Sequence, residues 1–134
     1  MNPQRDISSY IPQRPPFVFI DTIDELSEKG ACTRYTVSEN CPLLSDEVLP
    51  LSGLMENAAQ TCAVIAGNKI AYLGAVKQME VTRFPQVGET LRTEAVVMQQ
   101  MLNISLIGCT IRSQNETIAT TILKIATMGN NAAK

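Results

Sequence analysis

Three polar residues lie one helical turn apart in a stretch that is otherwise apolar. Ser52, Glu56 and Gln60 are spaced i, i+4, i+8, which places them on one stripe if the stretch is helical. A partly buried carboxylate on such a stripe is suited to acid/base chemistry, so Glu56 is the candidate catalytic residue. The alternative is a glutamate at the domain edge, solvated or paired with a lysine, since carboxylates are almost never fully buried alone.

The neighbours of Glu56 are candidates for substrate binding. Gln60 is expected to support the Glu56 carboxylate or an amide across a dimer, and a satisfied helix polar group is an equally good interpretation. Asn57 lies beside the stripe and is a candidate substrate contact, with the same alternative. The start of the helix offers free donors for a substrate carbonyl: the backbone N–H groups of Leu51, Ser52 and Gly53.

The composition excludes several other chemistries. The chain has no histidine, which removes histidine-assisted nucleophiles, histidine-containing zinc sites and imidazole acid/base catalysis. Its four cysteines form no C-x-x-C pair, so we expect no metal site, and three of them are expected to be small buried hydrophobes: Cys32, Cys62 and Cys109. The net charge of -2 and the lack of a Lys/Arg cluster exclude nucleic acid as a partner.

The pattern of apolar residues predicts one helix and six strands. Pro50 suits a first helical turn and Gly67 a stop, and the apolar interior between them predicts a helix enclosed on most sides. The fold class is therefore α+β, one domain over 1–134 with an antiparallel sheet around a central buried helix and a frayed tail at 129–134. A first strand is expected after a short turn and before Glu28, and the others over Ala31–Val37, Ile70–Phe84, Thr90–Leu102, Ile104–Arg112 and Thr117–Thr127.

Location and assembly follow from the same composition. Met1–Arg14 has no apolar stretch typical of a signal peptide, and the nearly uncharged run Val48–Asn68 contains polar residues that argue against a membrane span. We therefore expect a cytoplasmic protein without a membrane partner. Charged residues make up only 18% of the chain, which favours a surface partly hidden in a dimer whose strands join into one sheet.

Four segments, in order, resemble the hotdog-fold 3-hydroxyacyl-acyl-carrier-protein dehydratases. Arg14–Asp21 resembles their "HRYPFLLVDRV" opening, and Ser38–Leu44 resembles "NEPFF". Leu54–Gln60 is similar to the central-helix motif "LILEAMAQ", with the glutamate and glutamine in register, and Arg83–Glu89 is similar to the "RFKRPVVPGD" turn. The resemblance implies a hotdog fold, a site shared between two subunits, and an acyl-phosphopantetheine substrate on acyl carrier protein or coenzyme A, without a separate cofactor. For such a substrate, Asn57 is a candidate contact for a pantetheine amide, and the amides of residues 51–53 are candidate donors to the thioester carbonyl.

One departure from the family bears directly on catalysis. The segment "GHFPG", which carries the family's catalytic histidine, has no counterpart between Leu44 and Pro50, where a shorter loop stands. In the family the histidine removes the α-proton, and the helix carboxylate of the other subunit, matched here by Glu56, handles the hydroxyl. Within the family the chain is most similar to the divergent proteins of aryl-polyene-type pathways. The titratable residues nearest the gap are Cys41, Asp46 and Glu47.

The two loop acids are expected to be solvated, because adjacent acids on a proline-flanked loop usually are. Three functions then stay open. The first is a dehydratase-like subunit of fatty-acid or polyketide-type biosynthesis, as a homodimer or completed by a histidine-bearing partner in a heterodimer. The second is an acyl thioesterase that uses Glu56 alone. The third is a non-catalytic acyl-binding protein. Chain length and the choice of carrier are not encoded in these patterns.

Overall fold

The strands form because apolar and polar residues alternate along them, and the turns between them use residues that accept unusual backbone angles. The computed structural model describes residues 6–67 and 69–130, with side chains up to residue 128. A 3-10 turn, Ile7–Ser9, precedes the elements that build the domain. These are β1 (Thr22–Ser27), β2 (Gly30–Thr36), α1 (Leu51–Ala66), β3 (Lys69–Val81), β4 (Thr90–Met101), β5 (Ile104–Ser113) and β6 (Glu116–Asn130).

The strands form one antiparallel sheet in the order β1-β2-β4-β5-β6-β3. Burial along β5 alternates at every residue, so one face of the sheet is turned inward and the other outward. The β5–β6 hairpin turns at Gln114 and Asn115, both with positive φ (54° and 66°), which matches the mirror-image turns that suit twisted hairpins. The short β1 and the long β3 are left as the sheet edges.

Helix α1 lies against the inward face of the sheet. It begins after Pro50 and ends at Gly67, whose φ of 67° and N–H bond to Val64 O (3.1 Å) terminate the helix. The helix thus lies within the predicted range 50–67, with Pro50 and Gly67 as its two caps. Apolar residues of α1 and of the inward sheet face form the main core, in which Leu54, Ala58 and Cys62 are buried. An α+β architecture with a sheet around one helix agrees with the prediction.

The burial of α1 differs from the prediction in one respect. Half of its sixteen residues are buried, but the stripe at Leu51, Met55, Ala59 and Ala63 is only partly covered or exposed. The chain's own sheet covers one side of the helix, so the expectation of a helix enclosed on most sides is wrong for the single chain. The other side is apolar and open.

The ends of the chain limit one further comparison with the prediction. Strand β6 continues to Asn130, two residues into the segment predicted to be a frayed tail. Residues 131–134 of that segment lie outside the described residues. No helix in the described part is long and apolar enough to cross a membrane.

Candidate functional site

Glu56 lies in the second turn of α1, at the border between its buried and its open side. Its side chain is partly buried, and its Oε1 accepts a hydrogen bond from Gln60 Nε2 at 3.2 Å. The two residues are one turn apart, as the sequence spacing predicted. Ser52, the third residue of the stripe, is exposed at the first turn. The structure therefore brings Glu56 and Gln60 together and leaves Ser52 at the solvent end of the stripe.

Gln60 orients Glu56 because its own amide is fixed from the other side. Its Oε1 accepts the backbone N–H of Phe19 at 2.8 Å, which leaves the NH₂ end to face Phe17 O (3.1 Å) and the carboxylate. Gln60 is 1% exposed, so no competing water holds that amide. The hypothesis that Gln60 supports Glu56 therefore agrees with these contacts. Gln60 also ties the N-terminal segment to the helix.

Asn57 faces the core and the same N-terminal segment. Its Nδ2 donates to Phe19 O at 2.8 Å, and its Oδ1 accepts from Thr93 Oγ1 at 2.6 Å, with the residue fully buried. Both ends of the amide are thus used inside the chain, which is a structural role. The predicted pantetheine contact stays a prediction.

A chain of threonine hydroxyls extends this buried network. Thr61 Oγ1 donates to Asn57 O at 2.8 Å and lies 2.8 Å from Thr33 Oγ1. Thr33, Thr61 and Thr93 are all fully buried. Sequence reasoning missed this network. The available signal was polar hydroxyls at inward-facing positions of two strands and one helix, which require partners within the core.

The first turn of α1 offers fewer free donors than predicted. Gly53 N–H donates to Pro50 O at 3.0 Å, so the prediction of a free amide is wrong for Gly53. The amides of Leu51 and Ser52 make no hydrogen bond to a backbone carbonyl of the described chain, and both residues are exposed. These two amides are therefore the candidate donors at the helix N-terminus for a carbonyl oxygen.

Gly53 has a packing role instead. A Cβ at this position would lie 2.2 Å from Leu49 Cδ1, and Leu49 is completely buried. The helix accepts Leu49 against its first turn only because residue 53 has no side chain. The space beside the helix start is thus filled by an apolar side chain of the loop.

That loop is a tight hairpin. Ser45 and Val48 exchange two backbone hydrogen bonds (2.9 and 3.1 Å) around Asp46 and Glu47, which have φ of 52° and 62°. Both acids are exposed at the apex, in agreement with the expectation that they are solvated. Neither carboxylate is directed inward to replace a histidine. Cys41, the third titratable residue near the gap, is buried beside Tyr35, where burial and the Cys41 thiol raise the pKa of Tyr35.

The hairpin is held in place by the turn that precedes β4. Leu49 N–H donates to Pro85 O (2.8 Å), and Val87 N–H donates to Glu47 O (3.0 Å). The Glu89 carboxylate holds this turn through several hydrogen bonds. The Arg83 guanidinium, the Gln86 amide and the Ser113 hydroxyl all donate to Glu89 and together lower its pKa to about 2, against the opposing effect of burial.

The open side of α1 continues onto the edge strand β3. Four of the eleven exposed large hydrophobic residues of the described chain lie along this region: Phe17, Leu51, Leu73 and Val76. An exposed apolar surface of this kind is typical of an interaction site. We call it the open apolar surface, and it consists of Phe17, Leu51, Met55, Ala59, Ala63, Leu73 and Val76.

The three cysteines predicted to be small buried hydrophobes are buried in the structure, as is Cys41. Cys32, Cys41, Cys62 and Cys109 are free thiols and are buried, and the Cys62 and Cys109 Sγ atoms lie 3.4 Å apart. Burial and the neighbouring Cys109 thiol raise the pKa of Cys62, so this thiol is not a reactive thiolate. Among the described residues no cluster of His, Cys, Asp or Glu is arranged to hold a metal ion.

Comparison with known proteins identifies the family. The family model described as ApeP-like (ApeP dehydratase) matches residues 5–133. The chain belongs to this ApeP-like dehydratase family. Among curated proteins it is 28% identical over 117 residues to the 3-hydroxyacyl-[acyl-carrier-protein] dehydratase FabZ of Levilactobacillus brevis, covering 78% of this chain and 79% of that protein.

Solved structures agree with this assignment at the level of the fold. A chain of the dehydratase heterocomplex ApeI:P from Xenorhabdus doucetiae superposes with a TM-score of 0.83 at 17% identity, over 92% of this chain and 91% of that one. A hypothetical thioesterase from Streptococcus pneumoniae, solved with coenzyme A, gives a TM-score of 0.70 at 10% identity, over 81% and 85%. The predicted hotdog fold is confirmed. The ApeP-like chain thus shares its fold with dehydratases and thioesterases.

Proposed function

We propose that this ApeP-like chain is the histidine-free subunit of a 3-hydroxyacyl-thioester dehydratase and contributes Glu56 to a site completed by a partner. One observation carries the proposal. Glu56 is oriented by a buried amide at the border of an open apolar surface, while the chain has no histidine to act beside it. A positioned carboxylate without its second catalytic group is half of an acid/base pair.

The chemistry assigned to Glu56 is that of a general acid. A base on the partner removes the α-proton of the 3-hydroxyacyl thioester, and the electron pair forms the C2–C3 double bond. The C3–O bond breaks, the Glu56 carboxylic acid protonates the departing hydroxyl, and water leaves. The Leu51 and Ser52 amides are placed to stabilise the negative charge that develops on the thioester oxygen.

The partner that fits best is a histidine-bearing hotdog homologue. The open apolar surface includes the edge strand β3, whose thirteen residues offer unpaired backbone groups for a second sheet. Pairing along this edge would bring a second helix against the open side of α1 and enclose Glu56. The similarity to a chain of a dehydratase heterocomplex supports a heterodimer over a homodimer, because two copies of this chain hold no histidine.

The substrate class follows from the same relatives. The FabZ proteins to which the chain is similar are named for acyl-carrier-protein thioesters, and this ApeP-like subunit is proposed to act on the same class. Coenzyme A is the alternative carrier of the same phosphopantetheine thioester. The intracellular pathway is then of the fatty-acid or polyketide type, in which both substrate and protein are cytoplasmic.

A reconstitution assay tests this function. The purified chain, a histidine-bearing FabZ-like homologue that forms a complex with it, and their mixture are each given a 3-hydroxyacyl-acyl-carrier-protein substrate. Dehydration is expected from the complex and not from the chain alone, since a missing general base costs about 10²- to 10⁴-fold. Rapid dehydration by the chain alone would contradict the proposed division of the site.

The same assay separates the two other functions. Release of free thiol from an acyl thioester by the chain alone, abolished in Glu56→Gln, would establish a thioesterase in place of a dehydratase subunit. Binding of acyl carrier protein without turnover in any mixture would establish an acyl-binding protein. The similarity to a thioesterase structure at 10% identity shows the fold alone and does not favour hydrolysis.

A further inference from the structure

A groove on the outward face of the sheet lies at the β4–β5 hairpin, away from the start of α1. Its volume is about 370 Å³, and Ile104 and Leu106 are among its partly buried apolar residues. Met101 and Leu102 form its rim at the hairpin tip and are 67% and 92% exposed. Side chains this exposed at a turn contribute nothing to the core, so they are available for contact with a partner.

Two lysines form the charged side of the groove. Lys77 comes from β3 and Lys124 from β6, and no carboxylate is among the described residues that line the groove with them. The Lys124 stem lies over Gly74, where an added Cβ would be 3.8 Å from its Cγ. The apolar stem is thus supported while the ammonium stays in solvent.

The described arginines and lysines differ in whether a carboxylate neutralises their charge. All five ion pairs between described residues use an arginine: Arg34 with Asp24, Arg83 with Glu89 and Glu116, Arg92 with Glu25, and Arg112 with Glu94. None of the four described lysines has a described carboxylate within 4.0 Å. Near the start of α1 the arginine charge is therefore neutralised, whereas the groove keeps its positive charge.

Charge and shape together define what fits the groove. Two ammonium groups beside an apolar floor complement an acidic surface that presents one apolar side chain between carboxylates. A two-fold contact with a second copy would set lysines against lysines. A flat membrane surface would contact the hairpin tip but leave the concave floor empty. An acidic protein segment with one apolar side chain matches the two ammonium groups, the apolar floor and the concave shape of the groove.

The groove also has a defined position relative to the proposed partner. The β4–β5 hairpin and the start of β3 lie at the same end of the sheet, since Lys69 pairs with Asn130 and Thr127 N–H donates to Asn103 O. The start of α1 lies at the other end, beside Pro85. If the β3 edges pair antiparallel, the groove lies at the same end of the dimer as the start of the partner's central helix, on the outward face of the sheet.

We propose that this groove docks the acidic protein that carries the thioester, so that the histidine-free subunit holds the carrier while the partner supplies the base. This inference rests on the proposed function for the identity of the acidic protein as a carrier. Its physical basis, an uncompensated lysine pair on an apolar groove, does not depend on catalysis. The chain would then contribute a carrier-binding surface in addition to Glu56.

The test measures docking without chemistry. An acidic acyl carrier protein in the apo form, which lacks the pantetheine arm, is labelled and titrated with the reconstituted complex by fluorescence anisotropy. Lys77→Glu/Lys124→Glu is expected to weaken binding by about tenfold or more, and Leu102→Ser by several-fold at unchanged net charge. The matched control Lys29→Glu/Lys69→Glu removes two lysines outside the groove and is expected to change the Kd less than about twofold.

Each other outcome overturns the docking proposal. Equal weakening by both lysine pairs would indicate non-specific attraction, and unchanged binding would place the carrier elsewhere. Absence of binding would exclude a carrier at the groove. Loss of vesicle binding (phosphatidylglycerol with phosphatidylcholine) in the groove variant, without an effect on carrier binding, would assign the groove to a lipid surface. Groove-dependent carrier binding in a complex that does not dehydrate would reject the proposed catalysis and keep the docking site.

Discussion

The two sides of helix α1 differ in how far the chain itself buries their apolar residues and pairs their polar groups. On the sheet side, Leu54 and Ala58 are fully buried, and the polar groups of Asn57 and Thr61 have partners within the chain. On the open side, apolar residues face solvent and Glu56 has one hydrogen bond to the protein, from Gln60. The chain packs and pairs its own groups along one side of the helix and leaves the other side, with Glu56, open to solvent.

The largest expected effect concerns catalysis on the open side. In the complex with a histidine-bearing homologue, Glu56→Gln should lower kcat for dehydration by about 10²- to 10⁴-fold, because the amide cannot protonate the departing hydroxyl. The melting temperature should change little, since Glu56 makes one solvent-accessible hydrogen bond. Ser52→Ala, on the same stripe, is the matched control and should retain most of the activity. A large loss of stability in Glu56→Gln would show that the open side is structural.

A paired substitution compares the two sides directly. Leu54→Ala should lower the free energy of unfolding of the isolated chain by about 3 kcal/mol, because it leaves a cavity in the main core. Met55→Ala, the next residue but on the open side, should cost less than about 1 kcal/mol in the isolated chain. Chemical denaturation of both variants measures the difference.

The same pair has a second measurement in the complex. Met55→Ala should weaken assembly with the partner, which analytical ultracentrifugation detects, whereas Leu54→Ala should affect folding first. Equal costs for the two substitutions in the isolated chain would mean that the open side is already covered without a partner.

Gln60 is buried in the core and also bonds to Glu56, so its substitution should lower both the folding stability and the activity. Gln60→Met leaves the Phe19 N–H without its acceptor in the core, which should cost about 2 kcal/mol of folding free energy. It also removes the hydrogen bond that orients the Glu56 carboxyl group, so kcat should fall by about tenfold while KM changes little. A stability loss with an unchanged kcat would show that Gln60 supports the fold without orienting Glu56.

The smallest effect concerns the turn that positions the start of the helix. Glu89 has a pKa of about 2 in the folded chain, below its ordinary value of 4.5, because Arg83 and other donors stabilise its charge. The stability it contributes is therefore complete above pH 4.5 and lost as the pH falls toward 2. Glu89→Gln should remove on the order of 1 kcal/mol at neutral pH, because Arg83 is partly screened by solvent.

The comparison with the wild-type chain checks this last effect. Denaturation curves from pH 7 to pH 2 should converge for the wild type and Glu89→Gln at the acid end. Parallel curves over the whole range would mean that the Glu89 charge is not what fixes the turn.

Much of the fold follows from local signals in the sequence. Pro50 and Gly67 limit the helix correctly, and the i, i+4 spacing predicts the contact between Glu56 and Gln60 because both depend on backbone geometry alone. The hydrogen bonds from Asn57 and Gln60 to the backbone of Phe19 are not predictable in this way, since they join residues about forty positions apart. Local patterns carry no information about which strand or segment meets a given helix face.

The site shows the same limit. The free amide assigned to Gly53 is engaged by Pro50, and the real requirement for glycine there is the Leu49 side chain, which is visible only after the loop is folded. The segregation of lysines from carboxylates likewise arises from strand order, which brings Lys77 and Lys124 to one groove although they are distant in sequence.

The Ser45–Val48 hairpin limits how a histidine could be introduced beside the start of the helix. Its apex side chains are exposed, and its backbone is bonded to the next turn, while Leu49 occupies the space beside Gly53. A single substitution to histidine at Asp46 or Glu47 would therefore place an imidazole in solvent. Placing an imidazole beside the helix start would require a longer loop and removal of the Leu49 side chain together, so no single substitution in this hairpin supplies the second catalytic group of the proposed dehydratase.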